Sequence, residues 1–252
     1  MLKYRCTLIF VFIVSSMFCY NNKADQAFFY QGNLAYEQGD YQTAKNSYLQ
    51  LTKSGLYSKE LYLNLGNSYF KLDSLAHAIL FYEKGLKIAP GDQNLIHNLK
   101  LCNKIIKDKS SVKESVHITD WLHVFLGKST NYWAYTSIFL VFISFSLLAL
   151  FLFSTSELLK KATFYTALAA FIFTLFTIYF AWLSNHKTQE TNYCILFSAH
   201  VWIKAEPSTN SESNFKLHEG SKMKIIDENE NWLEISFDEK IGWVEKKDVQ
   251  RI

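Results

Sequence analysis

Asn33 and Asn67 are the residues whose type and spacing first suggest chemistry. Each side-chain amide offers an acceptor and two donors, so an asparagine on a helix can hold the backbone of an extended peptide. The two stand 34 residues apart, with Tyr36 and Glu37 after the first and Phe70 and Lys71 in the same relation to the second. An amide, a ring and a charge can recognise a chain but cannot break a bond. The other reactive residues do not assemble into a catalyst, because no nucleophile stands with a base, no glycine-rich phosphate loop occurs, and no His/Cys/Asp/Glu set has metal-ligand spacing. A binding protein is therefore expected, with no catalytic residue, metal or cofactor. Cys102 and Cys194 read as isolated thiols, an intermolecular disulfide being the alternative in an oxidising compartment.

The elements that must carry those side chains repeat with the same period. Gly32 recurs as Gly66, Ala44 as Ala78 and Tyr48 as Tyr82, each displaced by 34. The second copy, Tyr62-x-x-Leu65-Gly66-x-x-Tyr69 followed by Ala78-x-x-x-Tyr82 and Pro90, matches the tetratricopeptide pattern along its length. The first is looser, with Phe28 at the leading aromatic position and Gln38-Gly39-Asp40-Tyr41 as the inter-helix turn. Small residues at Gly32/Gly66 and Ala44/Ala78 let the helices of each hairpin approach, and Tyr48 and Tyr82 are expected to fill the space between hairpins. A further helix, with Leu95, Leu99, Cys102 and Ile106 on one face and Lys100, Lys104 and Lys107 elsewhere, is expected to cap the array. Residues 25–107 thus form two repeats plus a capping helix. Their groove for protein partners would be lined by Asn33, Tyr36, Glu37, Asn67, Phe70 and Lys71.

Charge patterning gives the setting. Lys3 and Arg5 precede an apolar run from Thr7 to Cys19, so residues 1–24 read as a signal peptide, an uncleaved anchor being the alternative. Residues 132–153 and 162–183 contain no charged residue, and each is long enough for a roughly 30 Å hydrocarbon core. The segment 154–161 joins them as a short loop containing Lys160 and Lys161, which favours a cytoplasmic loop and places both flanking domains outside the cytoplasm. Residues 108–131 form a linker in which Thr119–Gly127 reads as an interfacial helix. No carboxylate, Lys or Arg lies within the spans, so an ion path is not expected. The net charge of +3, without a basic run, argues against nucleic acid as a partner.

After Asn192 the pattern changes to short β-rich runs separated by polar turns. Lys204-Ala205-Glu206-Pro207-Ser208, Leu217 to Ile225, Trp232-Leu233-Glu234-Ile235 and Ile241-Gly242-Trp243-Val244 resemble a bacterial SH3-like module, which makes 184–252 a small barrel. Trp232 and Trp243 are expected in its core, and Trp202 is the candidate for an exposed contact.

The fold class expected is a multi-domain membrane protein: an all-α tetratricopeptide repeat array, a two-helix transmembrane hairpin and a small all-β SH3-like barrel. This order of parts resembles the BatE-type proteins of the bacterial aerotolerance (Bat) locus. The resemblance implies an inner-membrane scaffold with periplasmic domains, other Bat-locus membrane proteins as partners, and a role in oxidative-stress tolerance. The alternative expectation is an envelope or wall sensor whose SH3-like module binds peptidoglycan or peptide.

Overall fold

The computed structural model describes residues 23–108, 130–189 and 192–252. The expected interfacial helix and all but the last two residues of the expected signal peptide lie outside the described residues; those two, Lys23 and Ala24, open the first helix. The chain divides into two compact units, residues 1–57 and 58–252.

The first unit is a helical hairpin of α1 (Lys23–Glu37) and α2 (Tyr41–Lys53). Gly39 makes the turn at φ +80, and Asp40 caps α2 by accepting from the Thr43 amide at 3.0 Å. Ala44, Tyr48 and Leu51 are buried. A Cβ on Gly32 would stand 2.5 Å from the Tyr48 ring, so the glycine is the socket in which that ring sits.

The second unit begins with α3 (Lys59–Lys71), α4 (Leu75–Ile88) and α5 (Gln93–Ile105). Ser58 caps α3 through the Leu61 amide, and Asp92 caps α5 through the amides of Asn94 and Leu95. The ring–glycine socket recurs, with a Cβ on Gly66 falling 2.4 Å from the Tyr82 ring. Tyr48 and Tyr82 therefore fill space within their own hairpins, between first and second helix, and Tyr82 also shares a core with Leu95 of α5. The reason is geometric: the tyrosine on the second helix lies opposite the one first-helix residue that has no side chain.

Next come α6 (Thr130–Phe153) and α7 (Glu157–Gln189), whose stretches Thr130–Phe153 and Glu157–Ser184 are long and apolar enough to cross a membrane. Their connection is three residues, Ser154 to Ser156, so Lys160 and Lys161 belong to the first turns of α7 and not to a loop. Nothing between Glu157 and Lys161 is a glycine or proline that would stop the helix from starting early. The two helices meet along a seam of alternating three- and four-residue steps. On α7 it is made of small residues, with Thr163, Thr174, Thr177 and Ser184 buried and Ala167, Ala170 and Ala181 between them, while α6 brings Trp133, Ser137, Leu140 and Phe151. Small residues allow close approach where no hydrophobic force drives apolar helices together. The Ser137 hydroxyl lies 3.1 Å from that of Thr177, and Trp133 stacks on Phe180 at 5.2 Å.

The C-terminal module is an antiparallel sheet of seven strands: β1 (Tyr193–Leu196), β2 (His200–Lys204), β3 (Ser213–His218), β4 (Lys222–Glu228), β5 (Trp232–Phe237), β6 (Lys240–Glu245) and β7 (Val249–Arg251), in the order β3-β2-β6-β5-β4-β1-β7. Leu217 from one end of that order and Cys194 from near the other share one core with Ile203, Met223, Ile235 and Val244, so the sheet rolls around a single interior. Gly242 is required where β2 crosses β6, because a Cβ there would lie 2.6 Å from Ile203. Trp232 and Trp243 are not in this core. Both are half-buried, on the alternate positions of β5 and β6 opposite to Leu233, Ile235 and Val244. Strand alternation decides this, since the small interior is filled by aliphatic residues and the tryptophans take the outward register.

Candidate functional site

Within the first hairpin, the Asn33 Oδ1 accepts a 2.7 Å hydrogen bond from the Tyr48 hydroxyl. Tyr36 packs edge-on against Tyr41 at 5.1 Å, and burial, followed by the Tyr41 hydroxyl, raises its pKa. Glu37 is exposed at the end of α1.

In the second unit the Asn67 Oδ1 accepts from the Tyr82 hydroxyl at 2.8 Å and from the Asn98 Nδ2 at 2.7 Å. Asn67 is thus first an internal tie from α3 to both α4 and α5, with its amide oxygen already engaged twice. Phe70 is half-buried against the core shared by α4 and α5, and Lys71 is exposed. Of the candidate groove residues, the two asparagines are tied into their hairpins by the same bond, tyrosine hydroxyl to asparagine oxygen.

Asn98 was not singled out from the sequence, although a signal for it exists. Leu95, Asn98 and Leu99 repeat Leu61, Asn64 and Leu65 at the 34-residue period, so α5 is the first helix of a third copy. That copy departs from the pattern after Leu99. At the position of Gly32 and Gly66 it has Lys100, which is exposed, so α5 offers no socket for a second-helix ring. On the face of α5 that contains the half-buried Asn98, Leu101 and Ile105 are exposed, Ile105 by 56%. A helix that only solvated the array would show polar residues there. α3 and α5 together therefore present an amide-and-aliphatic surface suited to a peptide or a partner helix.

Lys59 and Asp92 join the starts of α3 and α5 at 2.9 Å. Burial raises the Asp92 pKa, but the Lys59 ammonium and the amides of Leu95 and Asn94 outweigh it and leave the carboxyl below its ordinary range. The same pairing raises Lys59, whose hydrogen bond to Asp92 is the largest cause.

On the barrel, Trp202 is 52% exposed, with the Lys216 ammonium 5.9 Å from its ring centroid. Strand pairing sets Lys204 opposite Trp243, Glu234 opposite Trp243, and Trp232 opposite Glu245, so the three tryptophans share the outer face of β2, β6 and β5. This face combines rings with carboxylates and ammonium groups and contains no nucleophile–base pair.

Both described cysteines are buried, Cys102 among the helices and Cys194 in the barrel. Burial pushes their thiols up, to about 11 and about 12. Intermolecular disulfide formation would require either thiol to leave its core. Among the described residues no group of three His, Cys, Asp or Glu side chains is placed to hold a metal ion.

The repeats and the barrel touch each other. Glu83 on α4 pairs with Lys222 at 2.7 Å, and His77 meets the Phe197 ring edge-on at 4.6 Å. Asp108, just after α5, accepts from the His218 amide and lies 3.0 Å from His218 Nδ1.

Comparison with known families matches both modules. A tetratricopeptide repeat family matches residues 59–92, which is α3, α4 and the cap of α5. A bacterial SH3 domain family matches residues 201–250, from β2 into β7. No curated protein is significantly similar to the chain. The chain thus carries a tetratricopeptide repeat and a bacterial SH3 domain on either side of two helices long and apolar enough to cross a membrane.

Proposed function

We propose that the protein is a non-catalytic membrane adaptor that recruits protein partners through its repeats and its SH3-like module. The observation that carries this reading is the contact between Glu83 and Lys222, which joins the second repeat to the barrel across the intervening hairpin. If α6 and α7 span a bilayer, modules that touch must lie on the same side of it, as a two-span hairpin requires. A membrane hairpin that holds two recognition modules together on one surface is the arrangement of a scaffold. The basic start of the chain and the lysines at the beginning of α7 support an extracytoplasmic placement of both modules in an inner membrane. The resemblance in order of parts to BatE-type proteins supports other Bat-locus membrane proteins as the partners, and oxidative-stress tolerance as the setting.

The second reading, an envelope or wall sensor, is favoured by one feature: the outward tryptophan face with Trp202. Stacking on rings and bonding to Glu234 and Glu245 would suit a glycan or a peptide.

Co-purification from crosslinked membranes separates the two. Leu101→Glu with Ile105→Glu alters exposed residues only and should abolish partner recovery while the chain stays folded and membrane-bound. Trp202→Ala should leave recovery of the partner held by the repeats unchanged. The reverse pattern would move recognition from the repeats to the barrel and refute the repeat-based reading.

A further inference from the structure

Among the described residues the helices of the repeat array end with α5. In a stacked array each hairpin buries its neighbour's face, so the face of the last described helices must be covered in its turn. The barrel lies against α4 and α5. Ile195 of β1 is fully buried and belongs to the same core as Ile79, Leu80, Leu95 and Ile106, with Phe197 packed against it. Gly220, in the β3–β4 turn at φ +85, would place a Cβ 2.8 Å from Ile106 and 3.1 Å from Ile79, so the turn meets the helices without room for a side chain.

Polar groups close the contact at its edges. Lys222 pairs with Glu83, whose side chain is only 11% exposed. Lys87 donates to the Ile252 carbonyl at 2.7 Å. The Asp108 carboxylate sits against the same turn, where the His218 amide donates to it and the Ser221 hydroxyl lies 3.3 Å away. Two apolar faces matched by ion pairs and by a glycine with no spare volume are the marks of a packed intramolecular interface.

We infer that the SH3-like barrel is a structural cap of the repeat array, closing α4 and α5 over Ile79, Leu95 and Ile106. Its recognition surface is then the opposite, tryptophan-bearing face, and its β1 edge and β3–β4 turn are committed to holding α4 and α5. The inference is independent of which partner the protein recruits.

The test uses the full chain in lipid nanodiscs. A water-soluble carbodiimide, which couples an amine and a carboxylate already in contact, should join Lys222 to Glu83 as a peptide pair seen by mass spectrometry. Amide hydrogen exchange in α4 and α5 should then quicken about tenfold or more in Glu83→Lys, where two ammonium groups face each other, because opening there is local and set by the interface. The reversed pair, Glu83→Lys with Lys222→Glu, should restore protection toward the parent value. Restoration shows that the loss in the single variant comes from the broken pair and not from lysine at position 83, and unchanged exchange in α6 and α7 of the single variant shows that it folds. Absence of the Lys222–Glu83 coupling, or exchange in α4 and α5 that does not respond to Glu83→Lys, would overturn the inference.

Discussion

At the scale of single residues, each hairpin is organised by a tyrosine set into a glycine and tied by its hydroxyl to an asparagine. Gly66→Ala would put a methyl group 2.4 Å from the Tyr82 ring, which cannot be met without displacing the ring or the helix. The expected loss is about 1–3 kcal/mol, the usual cost of overpacking a filled core. Tyr82→Phe keeps the ring and removes only one of the two donors to Asn67, so it should cost about 0.5–1.5 kcal/mol. Thermal unfolding of the two variants checks the order, and a larger loss for Tyr82→Phe would place the energy in the hydrogen bond and not in the socket. The glycine and tyrosine positions were legible in the sequence because they recur at a fixed period. Their pairing was not, since a period gives the positions and leaves open which face each residue meets.

At the scale of elements, the ion pair between the starts of α3 and α5 predicts a pH dependence. Asp92 has a lowered pKa, so its contribution to stability is complete above the ordinary carboxylate value of about 3.9 and is lost as pH falls through the lowered one. Lys59 is raised, so its contribution is complete below the ordinary lysine value and fails only as pH rises past the raised one. Asp92→Asn should therefore lower the unfolding midpoint at pH 7, and the gap to the parent should narrow in strong acid. A gap of constant size across that range would show that capping geometry, and not charge, makes Asp92 important. The two apolar helices were legible from composition alone, because 22 residues without a charge leave little alternative. The short connection was harder to see: lysines look like loop residues, yet they are good helix formers and start α7 with no breaker to stop them. In the barrel, β3 (Ser213–His218) is the strand least legible in the sequence, since Ser213-Asn214-Phe215-Lys216 has only one apolar residue with which to show alternation.

At the scale of the molecule, the order of modules could be read from the sequence and their contact could not. Glu83 and Lys222 lie 139 residues apart, and no local pattern in either segment announces the other. The tryptophans show the same limit: Trp232 and Trp243 are the largest residues of their strands, so size suggests the core, while strand register puts them outside it. What the contact adds to the sequence is a constraint on topology. Modules joined by Glu83–Lys222, by Asp108 and the β3–β4 turn, and by His77–Phe197 cannot lie on opposite faces of a bilayer. The most direct test labels single cysteines with a membrane-impermeant maleimide in intact spheroplasts, with the parent chain as the blank. Asn103→Cys on α5, Thr209→Cys between β2 and β3, and Ser156→Cys between α6 and α7 all replace exposed residues. The prediction is that Asn103→Cys and Thr209→Cys label in intact spheroplasts, and Ser156→Cys only after permeabilisation. Labelling of Asn103→Cys and Thr209→Cys from opposite sides would contradict the paired-module scaffold, and labelling of both only after permeabilisation would contradict its extracytoplasmic placement.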